Sequence, residues 1–286
     1  MLPTLALALA IPAPASGSVA KVTTFKEGLT GLPTSQISYV AAPGERNAVT
    51  IEAAHGTWVI RDSAATIHIG AGCTLVDEHA ARCTNATPGY YRLQINTGDL
   101  DDSVSVPEEA GRTIVSGGAG DDRLRGGDNV ALSGGDGADR IEFDRTPLSL
   151  SCGRGSDELV MLARTRVLLD SVSVQACEHI RIGVLVLAVR PRRQGRALVL
   201  SARCVADGPC RGQISLLLRR SGRSTAVGGD SFRLDEGERA TLRVALDASE
   251  RRLLASSATI VDVNVRTRDL RTSSEQLAGW RVRAAL

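Results

Sequence analysis

Apolar and polar residues alternate in short runs along the first third of the chain, at Ile37-Ser38-Tyr39-Val40, Val49-Thr50-Ile51, Trp58-Val59-Ile60, Ile67-His68-Ile69 and Leu93-Gln94-Ile95, with Gly and Asn between them. A period of two puts successive side chains on opposite faces, so each run predicts a short strand with one buried face, joined to the next by a tight turn. We read these strands as early rungs of a stack. Short apolar strands continue from Val160 to Ile182. From about Gly183 the runs lengthen to sandwich spacing, at Val184–Val189, Leu198–Ala202, Ile214–Leu218, Ala240–Leu246, Thr259–Val265 and Trp280–Ala284, with one brief helix at Ser249–Ala255. The pattern predicts an all-β protein: a short parallel β-solenoid over 21–182, then an antiparallel β-sandwich over 183–286.

Between the two groups of strands lies a repeat. Gly117-Gly118-Ala119-Gly120-Asp121-Asp122-Arg123-Leu124-Arg125, Gly134-Gly135-Asp136-Gly137-Ala138-Asp139-Arg140-Ile141-Glu142 and, with Cys152 at the first position, Cys152-Gly153-Arg154-Gly155-Ser156-Asp157-Glu158-Leu159-Val160 follow one pattern, G-G-x-G-x-D-x-U-x with U a large aliphatic, and a looser copy ends Asp102-Ser103-Val104. The copies start at 117, 134 and 152, two nonapeptides per step. Such a period is produced by a coil of parallel strands whose turns each hold two short strands and two tight loops. Glycines let the loop curl with its carbonyls turned inward, and the aliphatic two residues after the aspartate shares its strand face and fills the core. Stacking at about 4.8 Å brings Asp122, Asp139 and Asp157 into one column. Bare carboxylates about 5 Å apart repel by about 3 kcal/mol per pair at an effective dielectric near 20, which is large against a domain stability of about 5–15 kcal/mol. A divalent cation between turns removes that cost, and an all-oxygen ligand set selects calcium.

These nonapeptides resemble the RTX, or hemolysin-type, calcium-binding β-roll. The resemblance implies that Asp122, Asp139 and Asp157 ligate calcium with help from the carbonyls of Gly118, Gly120, Gly135, Gly137, Gly153 and Gly155. On the opposite edge, Gly126-Gly127-Asp128-Asn129-Val130 is one residue short and Phe143-Asp144-Arg145-Thr146-Pro147-Leu148 has no glycine, so that edge is expected to bind nothing. Two calcium sites are expected, one on either side of the Asp139 turn. The alternative is a degenerate solenoid that keeps its glycine turns and has lost the ion. The wider plan is similar to a group of secreted actinobacterial proteins, with a cysteine-bounded strand segment, degenerate RTX turns, a closing Cys177-Glu178 unit and an immunoglobulin-like domain, here 183–286.

The six cysteines fall into local pairs, Cys73 with Cys83, Cys152 with Cys177 and Cys204 with Cys210. An even count in an exported chain reads as disulfides; fifteen connectivities are open, and nearest neighbours are the expected one. A Cys/His zinc site is the weaker reading, because no Cys-x-x-Cys spacing is present. Residues 1–20 carry an apolar run, Leu5 to Ile11, followed by Ala13-Pro14-Ala15 and Ser18-Val19-Ala20, small-x-small sites of the signal-peptidase kind, although nothing positive precedes the run. Export is expected, with no membrane span.

Composition narrows the function. The 286 residues carry net charge +2, but that is −8 up to residue 180 and +10 after it. The basic half suits either an anionic envelope or extracellular polymer or, with its arginines scattered and no aromatics interleaved, a solvated surface; nucleic acid is not expected as a partner, since only 3% of residues are aromatic. Nucleophile-elbow, zinc-protease and P-loop motifs are absent, the only lysines are Lys21 and Lys26, and His55, His68, His79 and His179 read as surface or core residues. The expectation is a non-catalytic, extracellular calcium-binding structural or adhesion protein. Its rival is a secreted polysaccharide hydrolase or lyase on a solenoid, with calcium as a structural ion.

Overall fold

The computed structural model describes residues 17–26, 33–54, 56–84, 91–145, 147–161, 167–169, 174–183, 185–188, 191–220, 223–254, 260–270 and 275–283. Two parallel sheets form the N-terminal part. In the first, Pro33–Val40, Tyr91–Asp99, Thr113–Ala119, Val130–Asp136, Ser149–Arg154 and Val174–Gln175 stack in that order. In the second, Ala48–Ala54, Ser103–Ser105, Arg123–Gly126, Arg140–Phe143, Glu158–Met161 and His179–Ile182 do the same. The chain crosses from sheet to sheet and back once per turn, which makes the expected parallel β-solenoid, with about four regular turns between residues 91 and 161.

Its core is two facing columns. Tyr39, Ile95, Val115, Leu132 and Leu150 are in register on the first sheet, and Val49, Val104, Leu124, Ile141, Leu159 and Ile180 on the second. None is more than 2% exposed. Each aliphatic thus sits on its counterpart one turn away, and a full side chain removed from water contributes about 1.5–3 kcal/mol.

Three expectations change. Trp58–Ile60 and Ile67–Ile69 are not rungs: Thr57–Asp62 turns back at Gly56 to pair antiparallel with Ala48–Ala54, Ala80–Thr84 and Cys73–Asp77 continue that antiparallel extension, and Ile67–Ile69 pairs with Ser18–Ala20. Alternation marks a half-buried strand of either direction, so it could not separate the two. The leader-like segment read as 1–20 overlaps the fold, since Ser18–Lys26 is a strand paired with Pro33–Val40 and both Ser18 and Ala20 are fully buried. A small residue satisfies a core position as readily as a cleavage site. Leu5 to Ile11 and Ala13-Pro14-Ala15 lie outside the described residues, as does His55. Finally, Val167–Leu169, expected within the solenoid, pairs with Glu275–Arg283 of the C-terminal sheet.

After Ile182 the pairing becomes antiparallel. Leu185–Ala188 joins His179–Ile182 to Ala197–Cys204, which also pairs with Arg192–Gln194 and Arg239–Ala245, so the second solenoid sheet runs on without a break. A separate sheet holds Arg223–Leu234, Cys210–Arg220, Ile260–Asp269 and Glu275–Arg283 in that order. Its strand Arg223–Leu234 was not foreseen, because the run holds Gly228 and Gly229 and, among the side chains described, places only Phe232 and Leu234 in the core. The helix is Ala248–Leu254, with a capping box in which Asp247 accepts from the Glu250 N–H (2.8 Å) and Glu250 from the Asp247 N–H (2.7 Å).

All six cysteines are joined as nearest neighbours, Cys73–Cys83, Cys152–Cys177 and Cys204–Cys210, which leaves no thiolate for zinc. The bridge from Cys152 to Cys177 ties the last glycine turn to the closing turn across 25 residues of sequence. Loop-closure entropy makes it worth about 3 kcal/mol. The Cys152→Ser/Cys177→Ser protein is therefore expected to melt roughly 10 °C lower; an unchanged melting temperature in calorimetry would show that the closing turn is held by its strand pairing alone.

Candidate metal centre

Each turn forms the same loop on the edge where the first sheet passes to the second. Gly118, Gly135 and Gly153 have φ of 120°, 133° and 116°, and Gly120, Gly137 and Gly155 have φ of 132°, 144° and 142°. A Cβ on Gly135 would fall 1.9 Å from the Gly118 carbonyl oxygen, and one on Gly137 2.1 Å from that of Gly120. The loop carbonyls therefore point along the stack in two columns, each against the glycine of the next turn.

Inside those loops the aspartates form a ladder longer than expected. Asp122 Oδ1 accepts from the Asp102 N–H, Asp139 Oδ1 from the Asp122 N–H and Asp157 Oδ1 from the Asp139 N–H, each at 2.9 Å. Asn47 N–H donates to Asp102 Oδ1 (2.7 Å) at one end, and Asp157 N–H to Glu178 Oε2 (3.0 Å) at the other. The structure thus brings Asp122, Asp139 and Asp157 together as expected and adds Asp102, with Asn47 and Glu178 as terminal members. The signal for all six is the same: a polar residue two positions before an inward aliphatic, as in Asn47 with Val49 and Glu178 with Ile180.

Only half of each carboxylate is satisfied. Oδ2 of Asp102, Asp122, Asp139 and Asp157 is buried with no hydrogen-bond partner, and the residues are at most 3% exposed. Oδ2 of Asp122 and of Asp139 lies against Gly117 and Gly134, where a Cβ would come within 2.1 Å. Burial, reinforced by the neighbouring carboxylates, pushes Asp102 and Asp139 up to about 6 and Asp122 to about 7, and raises Asp157 as well. An ionised oxygen held this way lacks both water and a donor. Either a proton or a cation relieves it.

The residues present could hold a hard cation. The groups to hand are aspartate Oδ2 and glycine carbonyl oxygens, an all-oxygen set suited to calcium. Among the described residues no three His, Cys, Asp or Glu side chains converge, so an ion here would take its remaining ligands from backbone carbonyls. Beside the ladder an open groove of about 580 Å³ also holds Asp101 and Asp121. Asp101 is bonded to Arg46 (2.9 Å) and accepts from the Asp121 N–H (3.0 Å), and Asp121 Oδ1 accepts from the Ala138 N–H (2.7 Å), so these outer acids already have partners. The opposite edge differs, because its acids face a cation: Arg145 lies 3.2 Å from Glu108 and 3.9 Å from Asp128.

Fold and site together define a disulfide-bonded parallel β-solenoid with a buried carboxylate ladder along one edge. No protein-family model matches the chain, and no curated protein matches it.

Proposed function

We propose that the protein is an extracellular, non-catalytic calcium-binding module of structural or adhesive role, in which calcium between stacked glycine–aspartate turns of the RTX kind stiffens the solenoid. The observation that carries this reading is the row of four buried, unpartnered Oδ2 atoms. The three disulfides fit an oxidising compartment, and among the described residues no helix is long and apolar enough to cross a membrane. On this reading the antiparallel strands after Ile182 form the immunoglobulin-like unit that follows the solenoid. The enzymatic alternative is less well supported: a cleft of about 720 Å³ contains His179 and Glu158, but among the described residues Glu158 is its one carboxylate and already pairs with Arg140, whereas acid–base glycoside hydrolysis uses two.

Thermal unfolding of the oxidised protein, beginning ahead of Ser18, tests the proposal in EGTA and across calcium from micromolar to about 10 mM, the range of extracellular calcium modules. A rise in melting temperature that magnesium does not reproduce, and that Asp139→Ala reduces, is expected. A melt indifferent to calcium, with no ion bound at equilibrium dialysis, would identify the ladder as a structural relic.

A further inference from the structure

We propose that the outer face of the C-terminal sheet is a docking surface for a carboxylated polysaccharide. Along the chain its arginines look scattered, but antiparallel register gathers them. Arg211 stands directly opposite Arg233 on one side and Arg268 on the other, so three adjacent strands present three guanidinium groups in one row. Directly opposed residues have Cβ atoms about 4.5–5.5 Å apart, and like charges there repel. Arg211 and Arg233 are exposed and Arg268 is half-buried. None has a carboxylate within ion-pair distance among the described residues. The row ends at Glu275, in register with Arg268.

The same face continues into groups that suit sugar hydroxyls. Gln213 is opposite Ser231 and Arg266, and Ser215 is opposite Asn264. Two depressions of about 370 Å³ each run along these residues and share Gln213, Ser231 and Arg266. Guanidinium groups pair bidentately with carboxylates, and amide and hydroxyl side chains complete the polar contacts a polysaccharide offers. Nucleic acid fits less well: single strands are gripped by exposed rings, and Phe232, in the strand that carries Arg233, is 8% exposed. Successive strands about 4.8 Å apart give a polymer with a charge on each unit one cation per strand.

Binding of the full oxidised chain to polygalacturonate, with dextran and a poly-dT oligonucleotide as comparators, tests the proposal between about 50 and 200 mM salt, in EGTA and again with calcium. Polygalacturonate is expected to bind with an affinity that falls as salt rises, and dextran not to bind. Arg211→Ser/Arg233→Ser should weaken binding about tenfold or more while the melting temperature stays level or rises, because a repulsive pair has been removed. Arg192→Ser/Arg193→Ser removes the same charge from an exposed strand elsewhere and should bind like the parent. Equal loss in both double variants would mean net charge and no site. Failure of polygalacturonate to bind, or tighter binding of poly-dT, would overturn the assignment.

Discussion

Without calcium, the protein is expected to lose stability steadily as the pH rises from about 4 to about 8, and calcium is expected to restore it only at the upper end. Asp102, Asp122, Asp139 and Asp157 all have folded pKa values above the ordinary 3.8, with Asp102 and Asp139 at about 6 and Asp122 at about 7. Between these limits the folded state therefore holds more protons than the unfolded one, and stability falls with pH. The contribution is complete below about pH 4 and lost as pH passes through 6 to 7. At 1.36 kcal/mol per unit the raised values of Asp102, Asp122 and Asp139 cost the ion-free fold on the order of 10 kcal/mol by pH 8, comparable to a typical domain's whole stability. Asp62 works in the opposite sense. Its burial would raise it, but donors from Tyr39, Ala48, Ala64 and Asn47 outweigh burial and leave it lowered, so its contribution is lost only in acid. The ion-free melting temperature should thus peak near pH 4 to 5. Calcium competes with protons for the same Oδ2 atoms, so its stabilisation should be small at pH 5 and large at pH 8. Melting curves over this grid decide the matter: a calcium effect equal at both pH values, or an ion-free melt flat across the range, would sink the ladder as the site.

The ladder was partly legible in the sequence because its glycine loops repeat. Asp122, Asp139 and Asp157 announce themselves through the Gly-x-Gly before each and the aliphatic two residues after. Asn47 and Glu178 lack that loop, and only stacking shows that they donate and accept in the same column. The antiparallel extension at Thr57–Asp62 was misread because a period of two records burial on one face and says nothing about strand direction. The arginine row was invisible for a related reason. Arg211, Arg233 and Arg268 meet only once three strands take a particular register, and register is a property of pairing between distant segments. Local chemistry was readable, and whatever depends on which strand lies beside which was not.

This dependence on stacking makes the loop glycines sensitive positions, and Gly135, which packs on Gly118 and is itself packed on by Gly153, tests them. Gly135→Ala is expected to destabilise the protein by more than about 3 kcal/mol, with or without calcium. Two causes add. The residue sits at φ 133°, which L side chains rarely adopt, and the new Cβ would lie 1.9 Å from the Gly118 carbonyl oxygen and 2.8 Å from its carbonyl carbon. The obstacle is backbone, so no rotamer change relieves it. Gly118 cannot retreat either, since it is itself packed on Gly98 and paired in register with Gly135. The comparison is Gly195→Ala, where φ is 58° and a Cβ meets nothing within 4 Å; only the backbone cost of about 1 kcal/mol is expected there. If urea denaturation gave the two variants similar losses, the turns would be free to move apart at Gly135. The carbonyl columns would then not be the rigid frame that holds the aspartates, and a cation could no longer be said to find its oxygens already in place.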